Sequence, residues 1–426
     1  MTILIKKMAL SLYTAADGLL GTHVTWEDIQ TELQDYFKTE ATFGDDKSAA
    51  NLSYGKGFLS RIVLITPHWQ DSKENERLPK SIVIKIASLM NGVDIAEQLK
   101  QAGLPTPMAR EEENQHLQKT CQKVHNIECN LYEFVKKNNL QTQWMPNVIA
   151  MKSFGENNTL KGYIVMDYIQ ADDVNLSDNV TFSELKQVLK AVAKYSAIGN
   201  KMDEATVDKF QMKLFSKVFG PMIKEQTKKD AVESLRKFDN GSLADIIDDY
   251  EKVYMEAVTV EKITEMDHLA ETFGIKQTLV HGDLWSANLM WKKQEHGEMQ
   301  LKAIVDYQFA HFNCAALDLA RLMMSTLSGK DRREHYEEII ETYYKFFTEE
   351  LGDSSAPFTL EQLKNATNVA LPYAGMFIAP VIQPLYEIVS AQNTEDKEPV
   401  LERIREKVRC IIEDSTHYYQ KYGKIN

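Results

Sequence analysis

Cysteine is scarce in this sequence, and its spacing excludes two common ways of stabilising a fold. The 426 residues include four cysteines, and none belongs to a Cys-x-x-Cys pair or lies beside a pair of histidines: Cys121, Cys129, Cys314 and Cys410. A disulfide framework or a structural zinc site is therefore not expected. Because unpaired cysteines are typical of a reducing compartment, we expect a cytoplasmic location.

An excess of positive charge is also missing. The chain has 62 Asp and Glu residues against 49 Lys and Arg residues, which makes a formal net charge of −13. Binding to nucleic acid or to an anionic membrane depends on a basic surface, so we expect neither partner. An anionic ligand would need a local basic site. Residues 1–12 lack an apolar core followed by a small-residue cleavage site, and we expect no signal peptide.

Charged residues are missing from one further stretch, residues 369–386, for 18 positions. That length would suit a membrane-spanning helix. Three prolines interrupt the stretch, at Pro372, Pro380 and Pro384. Since proline removes a helical hydrogen bond and clashes with the preceding turn, we predict a broken, buried helical segment and no membrane insertion.

Strand-like runs dominate the first part of the chain. A capping box at Thr25 and Asp28 predicts a helix that ends near Phe37. Further along, alternating and β-branched runs predict strands, and a polar run without Pro or Gly predicts a helix. In order these are strands at 61–65 and 81–86, a helix at 110–137, and a hairpin of 148–151 with 163–168. We expect an N-terminal lobe, residues 1–167, made of an antiparallel sheet and helices.

Proline and glycine become rare after Tyr168. Between residues 168 and 280 there are one proline and four glycines. Thr181 and Glu184 form a second capping box, which opens an amphipathic helix that ends near Ile198. We therefore predict a mostly helical C-terminal lobe, residues 168–426, and an α+β fold with two lobes.

The segment His281-Gly-Asp-Leu-Trp-Ser-Ala-Asn288 is the strongest indication of chemistry. Two apolar runs follow it, and they predict a β-hairpin that returns Asp306 to Asn288. In kinase-type phosphotransferases one carboxylate orients the acceptor hydroxyl, while an amide and a second carboxylate hold Mg²⁺ against the nucleotide phosphates. Asp283, Asn288 and Asp306 match these roles. Each alone would be read as a turn former, but the joint pattern favours a site for Mg²⁺ and nucleotide.

His281 has three interpretations. Since Asp283 already serves the acceptor side, a hydrogen-bonding brace is favoured for His281 over a proton carrier. A His-x-Asp fragment can also begin a metallohydrolase site. No second cluster of ligand spacing accompanies it, which disfavours that alternative.

Lys85 lies within an apolar, β-branched run, where an ammonium group is costly without a partner. It is either an edge-strand lysine that faces water or a phosphate anchor paired with a helix glutamate. Glu128 is the best candidate partner, because apolar residues flank it at helical spacing.

Further candidates would surround a nucleotide. Gly55 and Gly57 form either a loop that covers phosphates or a plain hairpin turn. The run that ends at Tyr168 would be a hinge whose backbone meets adenine. Met166, Met290 and Val305 are candidate walls of the adenine slot, although each residue type is more often core.

These residues together resemble the CHK kinase-like group, which sits with choline kinases, aminoglycoside phosphotransferases and insect ecdysteroid kinases. The resemblance covers most of the chain, and residues 18–26 are similar to an uncharacterised nematode branch. It is carried by Phe58-Leu-Ser60, Lys85, Glu128, residues 281–288, Asp306-Tyr-Gln308 and Asp318-Leu-Ala-Arg321.

The resemblance implies a bilobal protein-kinase-like fold and ATP- and Mg²⁺-dependent phosphorylation of a small-molecule hydroxyl. By position, Asp283 would be the catalytic base, Asn288 and Asp306 the metal ligands, and Lys85 the phosphate anchor. Asp318 would brace the catalytic loop. Asp306 is followed by Tyr-Gln rather than Phe-Gly, which argues against a protein kinase.

The acceptor stays open between a sterol- or xenobiotic-like alcohol and a choline- or aminoglycoside-like one. An apolar pocket is predicted near residues 371–386, lined by Tyr373, Met376, Phe377 and Tyr386, which could equally be helix core. The alternative function is a catalytically silent, ATP-binding pseudokinase or scaffold.

Overall fold

The computed structural model describes residues 10–52, 59–101, 111–172, 174, 176–392 and 397–423. The chain divides into two compact units. The first comprises Met1–Asn138 and Pro146–Ile169, and the second comprises Asn139–Met145 and Gln170–Asn426. An antiparallel sheet with helices forms the first unit and helices dominate the second, so the predicted α+β class is confirmed.

The first unit contains seven strands and three α-helices among its described residues. They are α1 (Trp26–Phe37), β1 (Thr42–Phe43), β2 (Ser48–Asn51), β3 (Ser60–Thr66), β4 (Trp69–Gln70), β5 (Ile82–Ala87), α2 (Met90–Gln101), α3 (Glu111–Lys137), β6 (Val148–Lys152) and β7 (Tyr163–Asp167). Five strands form one sheet in the order β2-β3-β5-β7-β6, and every neighbouring pair is antiparallel.

Local sequence signals explain two of these elements. The Thr25 side chain accepts from the backbone of Asp28, whose carboxylate accepts from the backbone of Thr25, so the predicted capping box opens α1. The predicted hairpin also forms, because β6 and β7 pair directly. Apolar side chains of α1 and of the sheet make one core cluster that includes Ile29 and Ile84.

The second unit contains short strands between helices. They are α4 (Phe182–Gly199), α5 (Glu204–Val207), α6 (Glu225–Lys237), α7 (Ile247–Ala257), α8 (Val260–Glu265), α9 (Leu269–Thr272), β8 (Thr278–Val280), β9 (Leu289–Lys293), β10 (Met299–Ile304), β11 (His311–Asn313), α10 (Ala316–Thr326), α11 (Gly329–Leu351), α12 (Leu360–Ser390) and α13 (Lys397–Tyr422). The capping box at Thr181 and Glu184 begins α4 as predicted. Two antiparallel pairs, β9 with β10 and β8 with β11, carry the segment singled out in the sequence.

The helix α12 corrects one prediction. The stretch with three prolines is buried as expected, but it is not broken, because all three prolines lie inside one helix of 31 residues. Packing against α10 and α13 supports it. A Cβ at Gly375 would lie 2.1 Å from Ser415 Oγ, so this glycine permits close approach of α13. Burial of a long apolar surface therefore outweighs the lost hydrogen bonds.

By length and composition α12 could also cross a membrane, and it is the one such helix within the described ranges. Its most apolar window is 67% buried inside the protein. That burial is typical of a core helix. The four cysteines are buried and unpaired.

The buried ring of His125 predicts acid sensitivity of the first unit. Its Nε2 lies 2.9 Å from the backbone oxygen of Lys152, and a carbonyl can only accept, so Nε2 carries the proton. The other nitrogen, Nδ1, is buried with no hydrogen-bond partner among the described residues. Burial lowers the pKa of His125 from 6.5 to about 4.

The unfolded chain therefore binds a proton that the native state excludes as the pH falls from 6.5 to 4. We expect this histidine to lower the free energy of unfolding by about 3 kcal/mol over that window. Urea denaturation at a series of pH values measures it. His125→Asn should flatten the slope, and an unchanged slope in that variant would assign the acid sensitivity to other groups.

Candidate active site

The loop that carries Asp283 leaves the end of β8 and enters β9 through a short 3-10 turn, Ser286–Asn288. The predicted hairpin of β9 and β10 forms, with Leu289 opposite Ile304. One step further, the backbone nitrogen of Val305 donates to the backbone oxygen of Asn288 at 3.0 Å. The hairpin therefore delivers Asp306 beside Asn288, as the sequence predicts.

Asn288 is tied to Asp283 by its own amide. Its Nδ2 donates to the backbone oxygen of Asp283 at 2.8 Å and lies 3.4 Å from Asp283 Oδ2. Both contacts use the nitrogen, which leaves the side-chain oxygen of Asn288 as a potential metal ligand. The spacing of five residues is thus bridged by a hydrogen bond within the loop.

Asp306 has a left-handed backbone, with φ 68° and ψ 58°. Aspartate tolerates this region better than most residues, yet it costs free energy, and such residues cluster at functional sites. Gln308 Nε2 lies 3.4 Å from Asp306 Oδ2. The backbone geometry makes the chain turn sharply at the end of β10 and continue into the turn Tyr307–Phe309.

Asn288 and Asp306 are suitable ligands for Mg²⁺, because amide and carboxylate oxygens are hard donors. Across the ranges that the structure describes, no group of three or more His, Cys, Asp or Glu side chains could hold a metal ion. Two oxygens from the chain fit a cation that takes its other ligands from phosphates and water. The donor set therefore suits a metal that arrives with a nucleotide.

His281 acts as a brace in this structure. Its Nε2 lies 3.0 Å from the backbone oxygen of Val305, and its Nδ1 accepts from the backbone nitrogen of Asp283 at 3.3 Å. These contacts assign the proton to Nε2. The buried ring therefore links the loop to the strand end next to Asp306, which agrees with the favoured sequence interpretation.

Side chains on one face of α10 hydrogen-bond to the backbone of the loop. The Asp318 carboxylate accepts from the backbone nitrogens of His281 at 2.6 Å and Gly282 at 2.9 Å. Ser325 Oγ accepts from the backbone nitrogen of Ser286 at 3.2 Å. Because residues three, four and seven apart share a helix face, one stripe of α10 holds residues 281–286.

Gly282 is required by this close packing. Its φ is +81°, and a Cβ there would lie 2.3 Å from the backbone oxygen of Phe309. Any other residue would push the loop away from the turn Tyr307–Phe309. The hydrogen bonds from the backbone of His281 and Gly282 to Asp318 agree with the predicted bracing role of Asp318.

Asp318→Asn should weaken this brace. An amide has one acceptor oxygen, so one of the two backbone donors of the loop loses its partner in a buried environment. We expect a loss of about 1–3 kcal/mol in the free energy of unfolding. Urea denaturation, with amide hydrogen exchange at Gly282, measures both effects. The exposed Asp353→Asn is the matched control, and equal exchange in the two variants would contradict the role of Asp318.

Arg321 is a site residue that the sequence interpretation left without a role. Its Nη2 lies 2.6 Å from Asp283 Oδ1, and its guanidinium lies over the Trp285 ring at 5.4 Å. Both partners hold Arg321 in one orientation. The feature of the sequence that could have identified Arg321 is its position three residues after Asp318, on the same helix face.

In the first unit, Lys85 and Glu128 form the predicted ion pair. Lys85 Nζ lies 2.5 Å from Glu128 Oε2, and their side chains are 5% and 1% exposed. Tyr132 Oη donates to Glu128 Oε1 at 3.4 Å. The alternative of an edge-strand lysine is wrong, because β5 pairs with β3 on one side and β7 on the other. The phosphate-anchor role stays a prediction.

The remaining nucleotide candidates are spread over both units. Gly55 and Gly57 lie outside the described residues. In the first unit Met166 is half-buried and Tyr168 is exposed, and in the second unit Met290 is half-buried. Their contribution to an adenine slot stays a prediction.

A cavity opens beside the loop within the second unit. It is partly enclosed and partly open to solvent. Tyr373 and Phe377 line it as predicted, whereas Met376 and Tyr386 do not. Tyr386 instead bonds to Asp239 and Arg405. The full lining is Leu214, Phe215, Phe219, Gly282, His311, Leu317, Arg321, Ala370, Tyr373, Ala374 and Phe377.

Two of these side chains come from a π-helical turn, Phe215–Phe219. The Asp267 carboxylate accepts from the backbone nitrogens of Phe215 and Ser216, each at 2.9 Å. Phe219 stacks on Phe377 of α12 with 5.3 Å between ring centroids. Turns of this kind are rare and are frequent at functional sites.

Residues 12–422 match the model of the DUF1679 family, described as "Uncharacterized oxidoreductase dhs-27". The chain belongs to this family. Two relatives from Caenorhabditis elegans also match: "Uncharacterized kinase-like protein D1044.1", 30% identical over 96 residues, and "Uncharacterized oxidoreductase dhs-27", 28% identical over 109 residues. The matches cover 22% and 25% of this chain, and 24% and 13% of the respective relatives. The resemblance to a kinase-like group with a nematode branch is thereby confirmed.

Among solved structures, a choline kinase from Cryptosporidium parvum is similar at 14% identity and a TM-score of 0.41. The similarity covers 89% of this chain and 89% of that chain. The family description names an oxidoreductase, and many oxidoreductases bind a dinucleotide cofactor. A dinucleotide fold needs a parallel sheet and a G-x-G-x-x-G turn. The described strand pairs are antiparallel, and the sequence contains no such glycine pattern.

Proposed function

We propose that this DUF1679 protein is an ATP- and Mg²⁺-dependent phosphotransferase that phosphorylates a hydroxyl group of a small molecule. The observation that carries the proposal is the loop of residues 281–288, in which Asn288 is hydrogen-bonded to Asp283 and the strand pairing brings Asp306 alongside. The kinase-like relative agrees with this reaction class.

In the proposed reaction the acceptor oxygen attacks the γ-phosphorus of ATP. An oxygen–phosphorus bond forms, the bond to the β-phosphate oxygen breaks, and the hydroxyl proton passes to the Asp283 carboxylate. Arg321 holds Oδ1 of that carboxylate, which leaves Oδ2 to take the proton. Mg²⁺, when bound, neutralises phosphate charge.

Side chains of the protein supply the other functions of the proposed site. Asn288 and Asp306 are the proposed metal ligands, and Lys85, held by Glu128, is the proposed phosphate anchor. Asp318, Arg321 and His281 are positioning residues, because they contact the loop rather than the reacting atoms.

Calorimetric titration with ATP tests the metal site. We expect Mg²⁺ alone to bind weakly and ATP to bind at least about tenfold more tightly with Mg²⁺ than with a chelator, which corresponds to about 1.4 kcal/mol. Asp306→Asn should abolish that enhancement, because it removes the carboxylate charge at nearly constant shape.

The exposed Asp353→Asn serves as the control and should keep the enhancement. Nucleotide binding that is indifferent to metal in the unaltered chain would instead favour a silent ATP-binding scaffold. Absence of ATP binding under every condition would overturn both functions.

A further inference from the structure

We propose that the cavity beside Gly282 binds the acceptor and selects a neutral, largely apolar alcohol with a second hydroxyl, which donates to His311. This inference rests on the proposed phosphoryl transfer for the identity of the ligand as acceptor. The binding preference itself follows from the walls of the cavity.

The walls are mostly hydrocarbon. Three phenylalanines, two leucines and two alanines line the cavity, and Phe219 lies against both Phe215 and Phe377. Apolar walls favour a hydrocarbon ligand over a heavily hydrated one.

Three buried polar atoms of lining residues have no hydrogen-bond partner among the described residues: His311 Nε2, Tyr373 Oη and Arg321 Nε. His311 and Tyr373 are almost fully buried, at 1% and 2% exposure. An unsatisfied polar group in such a place is unfavourable and calls for an explanation. A bound ligand with matching polar groups would satisfy them.

The tautomer of His311 decides which ligand group fits. Its Nδ1 lies 2.8 Å from the backbone oxygen of Phe309, which can only accept, so Nδ1 carries the proton. Burial lowers the pKa of His311, which keeps the ring neutral near pH 7. Nε2 therefore has a bare lone pair, and its partner must be a donor such as a hydroxyl group.

Tyr373 complements this acceptor. Burial raises the pKa of its phenol, so the hydroxyl group keeps its proton and can donate to a ligand oxygen. A hydroxyl group can donate to His311 and accept from Tyr373, whereas a quaternary ammonium group can do neither. The combination favours a hydroxyl-bearing ligand.

The charges in the lining also favour a neutral ligand. No carboxylate is among the lining residues, and the one cation, Arg321, is paired with Asp283. Within the lining itself, a cationic ligand would therefore meet aromatic rings and no carboxylate, while the carboxylates of Glu265 and Asp267, which act on Tyr373 and His311, are not part of the lining. Because Arg321 and Gly282 are both next to Asp283, this end of the cavity is the place for the reacting hydroxyl.

Binding measured without turnover tests the inference. The probes are benzenedimethanol, as its 1,3 and 1,4 isomers, 4-methylbenzyl alcohol with a single hydroxyl, and choline. We expect one diol to bind the full chain at least about tenfold more tightly than the mono-alcohol, which is the ratio expected for one satisfied buried hydrogen bond. Calorimetry and saturation-transfer NMR measure it.

Two variants locate the binding. His311→Phe should remove the preference for the diol, and Ala374→Phe should fill the cavity and weaken both alcohols while Mg-ATP binding is retained. Val381→Phe, at a position on the same helix that is 48% exposed, is the matched control and should change neither. Mg-ATP binding also verifies that each variant is folded.

Tighter binding of choline than of either diol would overturn the proposal, as would undiminished diol binding in Ala374→Phe. If the diol binds as expected but gains no phosphate from Mg-ATP, the ligand class stands and the proposed phosphoryl transfer fails. If another alcohol is phosphorylated while no diol binds, the reaction stands and the ligand class is wrong.

Discussion

Asp283→Asn is expected to lower phosphoryl transfer by at least about 100-fold and up to about 10⁴-fold. The amide cannot take the hydroxyl proton, and it loses the charge-assisted contact with Arg321. The fold of the loop should survive, because Asn288 bonds to the backbone oxygen of residue 283 rather than chiefly to its side chain. ADP release with a metabolite extract, followed by mass spectrometry for a phosphate adduct, measures the effect and identifies the acceptor.

The exposed Asp208→Asn is the control for this comparison and should turn over like the unaltered chain. Retained turnover in Asp283→Asn would show that another group takes the proton. Turnover that is missing even from the unaltered chain, despite metal-dependent ATP binding, would support the scaffold function.

Glu128→Ala should destabilise the first unit by about 3–5 kcal/mol. The reason is that the Lys85 ammonium group stays buried in the middle of the sheet with its main counter-charge removed. The double variant Lys85→Met with Glu128→Leu removes both charges and should recover most of that stability, since apolar pairs often replace buried ion pairs without loss. Urea denaturation measures both variants.

The two variants also distinguish a structural role of the Lys85–Glu128 pair from a role in ATP binding. If Lys85 anchors phosphate, the double variant should be stable yet bind Mg-ATP at least about tenfold more weakly, in line with a lost charge-assisted contact. Normal ATP affinity in the stable double variant would show that the pair has a structural role alone. Equal destabilisation of the single and double variants would contradict the buried-charge argument.

Several features followed from the sequence because their causes are local. The capping boxes at Thr25 and Thr181 each involve residues three positions apart, and both begin helices. The hairpin of β9 and β10 follows from two adjacent apolar runs, and it sets Asp306 next to Asn288. Interactions at short sequence separation depend little on the rest of the fold.

Other features depended on contacts between distant segments. The prolines of α12 predict a break, but packing against α10 and α13 keeps the helix continuous. The cavity draws its lining from the π-helical turn, the loop at Gly282, His311, α10 and α12. No periodicity in one segment could indicate that these five would meet, and Arg321 and His311 gained their roles only there.

The reaction type that we propose can be inferred from the amino-acid sequence, because Lys85, Asp283, Asn288 and Asp306 stand out by residue type, spacing and the character of the flanking runs. How Asp283 is held, and what the cavity beside it can accept, depend on the folded arrangement. The difference lies in how far apart the interacting residues are along the chain. Hydrogen bonds and caps form between near neighbours in the chain, whereas burial, an unsatisfied nitrogen on His311 and the lining of the cavity arise only when remote segments pack together.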